Sequence, residues 1–311
     1  MTGANDGVAT IRRAALVAWF AVFVWSIVVN GVPVDRFAVL AWILAAFMVA
    51  SIGRSWSDFR RMVFDWSILF VIYMAYDYSR GTADQWGRGI NYTRLRDIDR
   101  FMFLGNDPNE WMQHRFLHAD VRWYDVAGSI VYMSFFVLPV VPLAWLRLRD
   151  RDRWLMYLRR FGLTLSIAVC GFIVFPAAPP WMASMDGYLT NVRRTTGRGW
   201  WELHLGVVSR TIDRGGAVLN AIAPMPSLHA GMSFLVALWF TRGRPRWVRG
   251  LALLYPLAMA TSLVYFGEHW VIDCVMGFAT VGAAWFIADR WERRSAARAG
   301  RSVAPVDRVV N

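Results

Sequence analysis

Apolar residues in this chain fall in unbroken runs rather than at the one-face spacing of amphipathic helices. The runs at 14–31, 36–53, 62–79, 124–146, 155–176, 226–241, 248–267 and 270–288 each approach the roughly 20 residues that a helix needs to cross a bilayer's hydrocarbon core. The pattern predicts an all-α, polytopic membrane helical bundle of about eight transmembrane helices, or seven if the first pair is not two spans. The sixth run is short and borrows length from the preceding "APMPSLHAG". The first run has no small-residue cleavage site and is followed at once by another, so it reads as a span and not as a cleaved leader. The same pattern divides the chain into an N-terminal pair of spans (1–60), a larger membrane domain (61–290) and a cytoplasmic tail (291–311). That tail, rich in Arg, Ala and Ser, is predicted to be disordered.

Composition agrees with a membrane protein: 57% of the 311 residues are hydrophobic and the mean hydropathy is +0.34. All 34 basic residues are arginine. Placing both termini in the cytoplasm puts 21 of them inside and 13 outside. The outside residues are also diluted over two long loops of about 45 residues (80–123) and about 49 residues (177–225), so arginine density favours this orientation. The net charge of +12 is therefore a topology signal and a contact with anionic headgroups. A nucleic-acid partner would need a basic face on a soluble fold, and no such face is visible. Cys170 and Cys274 lie within apolar runs, where cysteine acts as a small buried apolar residue.

Two stretches interrupt the apolar pattern with chemistry. "PSLHAG" (226–231) places His229 at the outer mouth of the sixth span, and "GEHWVIDCVMG" (267–277) places His269 at the junction of the seventh and eighth. A span in, a turn and a span out return these points to one membrane level. Asp273 follows His269 by four residues, on the same helix face and about 6 Å along the axis. A carboxylate there can bind one ring nitrogen, fix the tautomer and leave the other nitrogen to attack. A second histidine opposite can protonate a leaving alcohol. Spacing alone also admits a headgroup contact or half of a metal site, although His114, His118 and His204 sit in the outside loops.

The two stretches, in this order and spacing, resemble the second and third signature motifs of the type 2 phosphatidic acid phosphatase superfamily. The branch they most resemble is that of the inositol-phosphorylceramide synthases and their bacterial relatives. "YDYSRG" (76–81), "FLGNDPNEWMQ" (103–113) and "FPAAPPW" (175–181) support the resemblance, which covers about residues 60 to 290. It implies His269 as nucleophile, Asp273 as its partner, His229 as the acid, and no metal or other cofactor. The superfamily's first motif carries a lysine and an arginine, but "FPAAPPW" stands in its place and the chain has no lysine. The Ser–Arg pair that usually opens the third motif is Ser262–Leu263 here. Phosphate charge must then be met elsewhere. Arg80 is the first candidate, followed by Arg193, Arg194 and Arg214, with Ser227 as a further headgroup contact.

The implied protein is an integral-membrane lipid phosphatase or phosphotransferase, leaning toward transfer of an inositol-phosphate-type headgroup. Its partners are a membrane lipid substrate and the bilayer, and its site faces away from the cytoplasm. The first outside loop, with Trp111, Phe116 and Trp123, is expected to lie on the outer leaflet as an interfacial segment. A different class, a transporter or a scaffold without chemistry, would place ionisable groups near the centres of the spans. Those centres are nearly free of them.

Overall fold

The computed structural model describes residues 2–30, 36–81, 89–206, 208–210 and 225–298. These residues divide into two compact units, and the boundary along the chain falls inside one helix, between Val71 and Ile72. No strand occurs among them, only an isolated bridge between Asn91 and Ala177.

The first unit is built from α1 (Thr2–Asn30), α2 (Arg36–Ala50) and the start of α3 (Trp56–Gly81). Aromatic side chains knit it together. Trp42 meets Trp19 and Phe23 edge-on at 6.1 and 5.0 Å, and Phe47 leans on Trp66 at 4.9 Å. Edge-to-face pairs of this kind add to simple apolar burial.

The second unit begins with the remainder of α3 and continues through α4 (Arg94–Met102), α5 (Pro108–Phe116), α6 (Trp123–Ser134), α7 (Val141–Arg149) and α8 (Arg151–Val174). Short helices α9 (Pro180–Met185) and α10 (Arg198–Glu202) follow. It closes with α11 (Leu228–Phe240), α12 (Arg246–Ala252), α13 (Leu254–Tyr265) and α14 (Val271–Arg298). The all-α membrane bundle read from the sequence is thus the observed architecture. Four stretches among the described residues are long and apolar enough to cross a membrane: Gly7–Asn30, Arg151–Val174, Arg246–Tyr265 and Val271–Arg298. Ala41–Ala50 and Leu228–Phe240 are apolar but shorter. The expected span at 124–146 is not one helix. It breaks into α6 and α7 around turns at 135–140, where Pro139 and Pro142 withhold backbone donors that a continuous helix needs.

α14 is the centre of the second unit and packs against α8 and α11. Small residues set how closely α11 approaches. A Cβ on Gly277 would lie 2.3 Å from the Ser227 carbonyl oxygen, and one on Gly231 would lie 3.0 Å from the Gly277 carbonyl oxygen. Only glycine admits that approach, so the starts of α11 and α14 are drawn together. The Ser227 N–H donates to the Asp273 carbonyl at 3.0 Å across the seam. At the far end of α14, buried Arg160 on α8 bonds Glu292 at 2.9 and 3.0 Å and also bonds Asp289. Its guanidinium lies 4.8 Å over the Trp285 ring.

Candidate active site

The close seam between α11 and α14 creates the site, because each helix starts beside its histidine. Ser227 caps α11 by accepting from the Ala230 N–H at 3.3 Å. His229 therefore sits in the first turn. His269 precedes α14 after a tight turn at Gly267, where φ is +71°, a conformation that glycine adopts without penalty. The two imidazole centroids are 5.8 Å apart.

Asp273 is fully buried and His269 nearly so, at 8% exposure. His269 Nδ1 lies 3.4 Å from Asp273 Oδ2, and the same oxygen accepts from the Trp270 N–H at 3.0 Å. That second bond is half of a capping box: an acid in the first helical turn reaching back to the residue before it. Asp273 thus starts the helix and orients the ring with one atom. Because Nδ1 faces the carboxylate, Nε2 is the nitrogen left for chemistry. The 3.4 Å separation is long for a hydrogen bond, but such contacts commonly tighten once substrate is bound.

His229 lies in an aromatic cradle. Tyr132 stacks on it at 4.9 Å, Phe135 is tilted against it at 4.0 Å, and Phe136 meets it edge-on at 6.0 Å. This cradle fixes the ring plane. An imidazolium would also be stabilised by the π faces. Sequence reasoning missed these three residues, because aromatics at the end of an apolar run read as ordinary core.

The arginine candidates separate. Arg194 Nε bonds Glu268 Oε1 at 2.6 Å and its guanidinium lies 5.7 Å from the Trp181 ring. Glu268 immediately precedes His269, so Arg194 is held against the residue next to that histidine. Arg193 is instead tied by its backbone to Gln113, at 2.9 Å through N–H and 2.7 Å through its carbonyl. Its exposed side chain lines a cavity of about 1000 Å³ with Asp107, Glu110, Trp111, His114 and His118. Burial pushes the Asp107 carboxyl above the usual range. Arg214 and the Arg80 side chain lie outside the described residues. Ser227 is 1% exposed and acts as the helix cap. The "FPAAPPW" stretch also reaches this neighbourhood: the Ala178 carbonyl accepts from the Trp270 indole at 2.9 Å.

No group of three or more His, Cys, Asp or Glu placed to hold a metal occurs among the described residues. A family model described as the PAP2 superfamily matches residues 93–287, which includes both histidines and Asp273. The chain belongs to the PAP2 superfamily. It is also 27% identical over 223 residues to a phosphoinositol dihydroceramide synthase from Bacteroides thetaiotaomicron, covering 68% of this chain and 72% of that protein. No solved structure gives a significant match. This PAP2 protein is therefore an enzyme that handles lipid phosphoesters. Its apolar helices are those of a multi-pass membrane protein.

Proposed function

We propose that this PAP2 enzyme transfers a phosphate-bearing headgroup between membrane lipids through a phosphohistidine on His269, with inositol phosphate as the favoured headgroup. The observation that carries the reading is His269 backed by Asp273 on one side and faced by the His229 ring 5.8 Å away. His269 Nε2 attacks phosphorus, and the bond from phosphorus to the lipid alcohol breaks. His229, as the imidazolium, gives its proton to the departing oxygen. In the second step a hydroxyl attacks the phosphohistidine. Neutral His229 takes the hydroxyl proton, and the N–P bond breaks. Each step exchanges one bond at phosphorus for another, so no nucleotide is consumed. Water as the acceptor gives hydrolysis, and a lipid alcohol gives transfer. The activity for which the Bacteroides relative is named supports transfer and the inositol phosphate group. Arg194 is the proposed phosphate ligand, released from Glu268 as substrate charge arrives. Arg193, and Arg80 and Arg214 with it, are secondary candidates.

Purified enzyme in mixed vesicles, given phosphatidylinositol labelled in its headgroup, is expected to pass label to an added long-chain lipid alcohol. Vanadate, a mimic of the five-coordinate phosphoryl transition state, should inhibit, and EDTA should not. Loss of activity in EDTA with recovery on adding zinc would replace the phosphohistidine by a metal-activated water.

We place the site on the extracytoplasmic face, with both termini in the cytoplasm, on the density of arginine in the loops. Met185 is 77% exposed near α9, and Leu148 is 66% exposed at the opposite end of the bundle. In a Cys170→Ala background, Met185→Cys should react with a membrane-impermeant thiol reagent on intact cells, and Leu148→Cys only after lysis. The reverse pattern would invert the orientation.

A further inference from the structure

The backbone that carries the attacking histidine is held from outside its own hairpin, by α4 and α5. Asp99, fully buried on α4, accepts from the Val271 N–H at 2.7 Å and the Ile272 N–H at 2.9 Å. These are two of the four N–H groups that the start of α14 cannot satisfy internally. Asn109, fully buried on α5, donates through Nδ2 to the His269 carbonyl at 3.1 Å and the Val264 carbonyl at 2.8 Å. With the Trp270 N–H bound to Asp273, every residue from His269 to Ile272 has a backbone group fixed by a buried side chain. Two of the three side chains come from a segment about 160 residues distant in sequence. No motif assigned to the reaction includes Asp99.

We propose that Asp99 is a positioning residue for the phosphoryl-transfer step: as a carboxylate it clamps the first turn of α14, and so sets the geometry between His269 and Asp273, with Asn109 as the opposing jaw. The proposal rests on the reading of His269 as nucleophile. A one-turn clamp suits that task, because Asp273 must present Oδ2 to two donors at once and a small rotation of the helix start would break the ring contact. Misplacement on the scale of an ångström is costly in rate even when the chemical groups remain.

Charge matters to this clamp, since bonds to an ionised acceptor are about twice as strong as neutral ones. The charged groups that face Asp99 among the described residues are Asp273 on α14 and Asp107 at the start of α5. Both are acidic. Burial raises the Asp99 pKa to about 7, against the pull of the two N–H bonds, and both acids add to the rise. Above that pH Asp99 is the strong acceptor. Below it Asp99 is a neutral acid and a weaker acceptor, while asparagine offers one accepting oxygen and a donating amide at every pH.

The experiment is the turnover of wild type and Asp99→Asn across pH 5.5 to 8.5, in vesicles with the labelled donor. The ratio of wild-type to variant kcat is expected to be smallest at the acid end and to rise at least tenfold toward the alkaline end, with KM within about twofold. A ratio that stays flat with pH, or a variant with wild-type kcat at pH 8.5, would overturn the proposal. If Asp99→Asn does not accumulate in membranes, Asp99→Ser keeps an acceptor for one N–H and is read by the same ratio. His269→Ala in the same assay separates the two levels. If it stays active, the reading of the nucleophile fails. If it is inactive while the Asp99 ratio is flat, the clamp alone fails.

Discussion

Replacing His269 by alanine should bring turnover to background and prevent any phosphoenzyme from forming, because the variant lacks the attacking nitrogen. The test is trapping of label from the phospholipid donor by a denaturing quench at alkaline pH, where the N–P bond survives, run beside the steady-state assay on protein shown to be inserted and folded. His229→Ala should behave differently. The nucleophile remains and only the proton donor is lost, a role worth ~10²–10⁴-fold in rate. The loss should shrink with a leaving group that needs no proton, such as a nitrophenyl phosphate. Asp273→Asn should also cost a large factor, because the amide can present the wrong hydrogen-bonding partner to His269 Nδ1. A folded His269→Ala enzyme with near-normal turnover would rule out the mechanism proposed for this site.

The second large effect should appear in stability and not in rate. Arg160 is fully buried, and Glu292 beside it is 13% exposed and Asp289 29%. Arg160→Met removes the buried cation, so Asp289 loses its ion pair and Glu292 keeps only Arg159, 3.1 Å away. Breaking one side of a buried ionic group costs about 3–5 kcal/mol, and the partial exposure of the acids places the expected loss at the lower end of that range. Thermal unfolding in detergent should show a marked drop, while kcat of the folded protein stays within about twofold. Adding Asp289→Leu should recover part of the stability, since it removes the carboxylate that lost its cation. An Arg160→Met protein as stable as wild type would show that the cluster contributes nothing to holding α8 on α14.

The parts of this structure that were legible in the sequence are those encoded locally. The apolar runs gave the bundle, and the His269–Asp273 contact is local, with Asp273 in the first turn of α14 reaching back to a histidine just before that helix. His229 was reachable through a height argument, because two turns at the same membrane face must lie level. The close seam at Gly231 and Gly277 was not anticipated, although it is what makes "level" become 5.8 Å. Asp99 and Asn109 meet the α14 start across 172 and 160 residues, and no periodicity reports a contact at that separation. The same holds for the cradle of Tyr132 and Phe135 around His229. Arg193 and Arg194 are adjacent in sequence and equal in residue type, yet Arg194 is held against Glu268 and Arg193 faces a cavity. Only the path of the loop between α9 and α10 tells them apart.

The placement of the ionic cluster has a consequence for how such an enzyme diversifies. Asp273 and Asp289 lie on one helix, about 24 Å apart at the usual helical rise. Changes separated by more than about 10 Å generally add without interacting. Substitutions that reshape the mouth for a new headgroup can therefore spend stability that the distant cluster supplies, without disturbing that cluster. A laboratory lineage seeking a new donor lipid should advance furthest when begun from a variant already strengthened around Arg160, because most specificity changes destabilise and the surplus decides how many can accumulate.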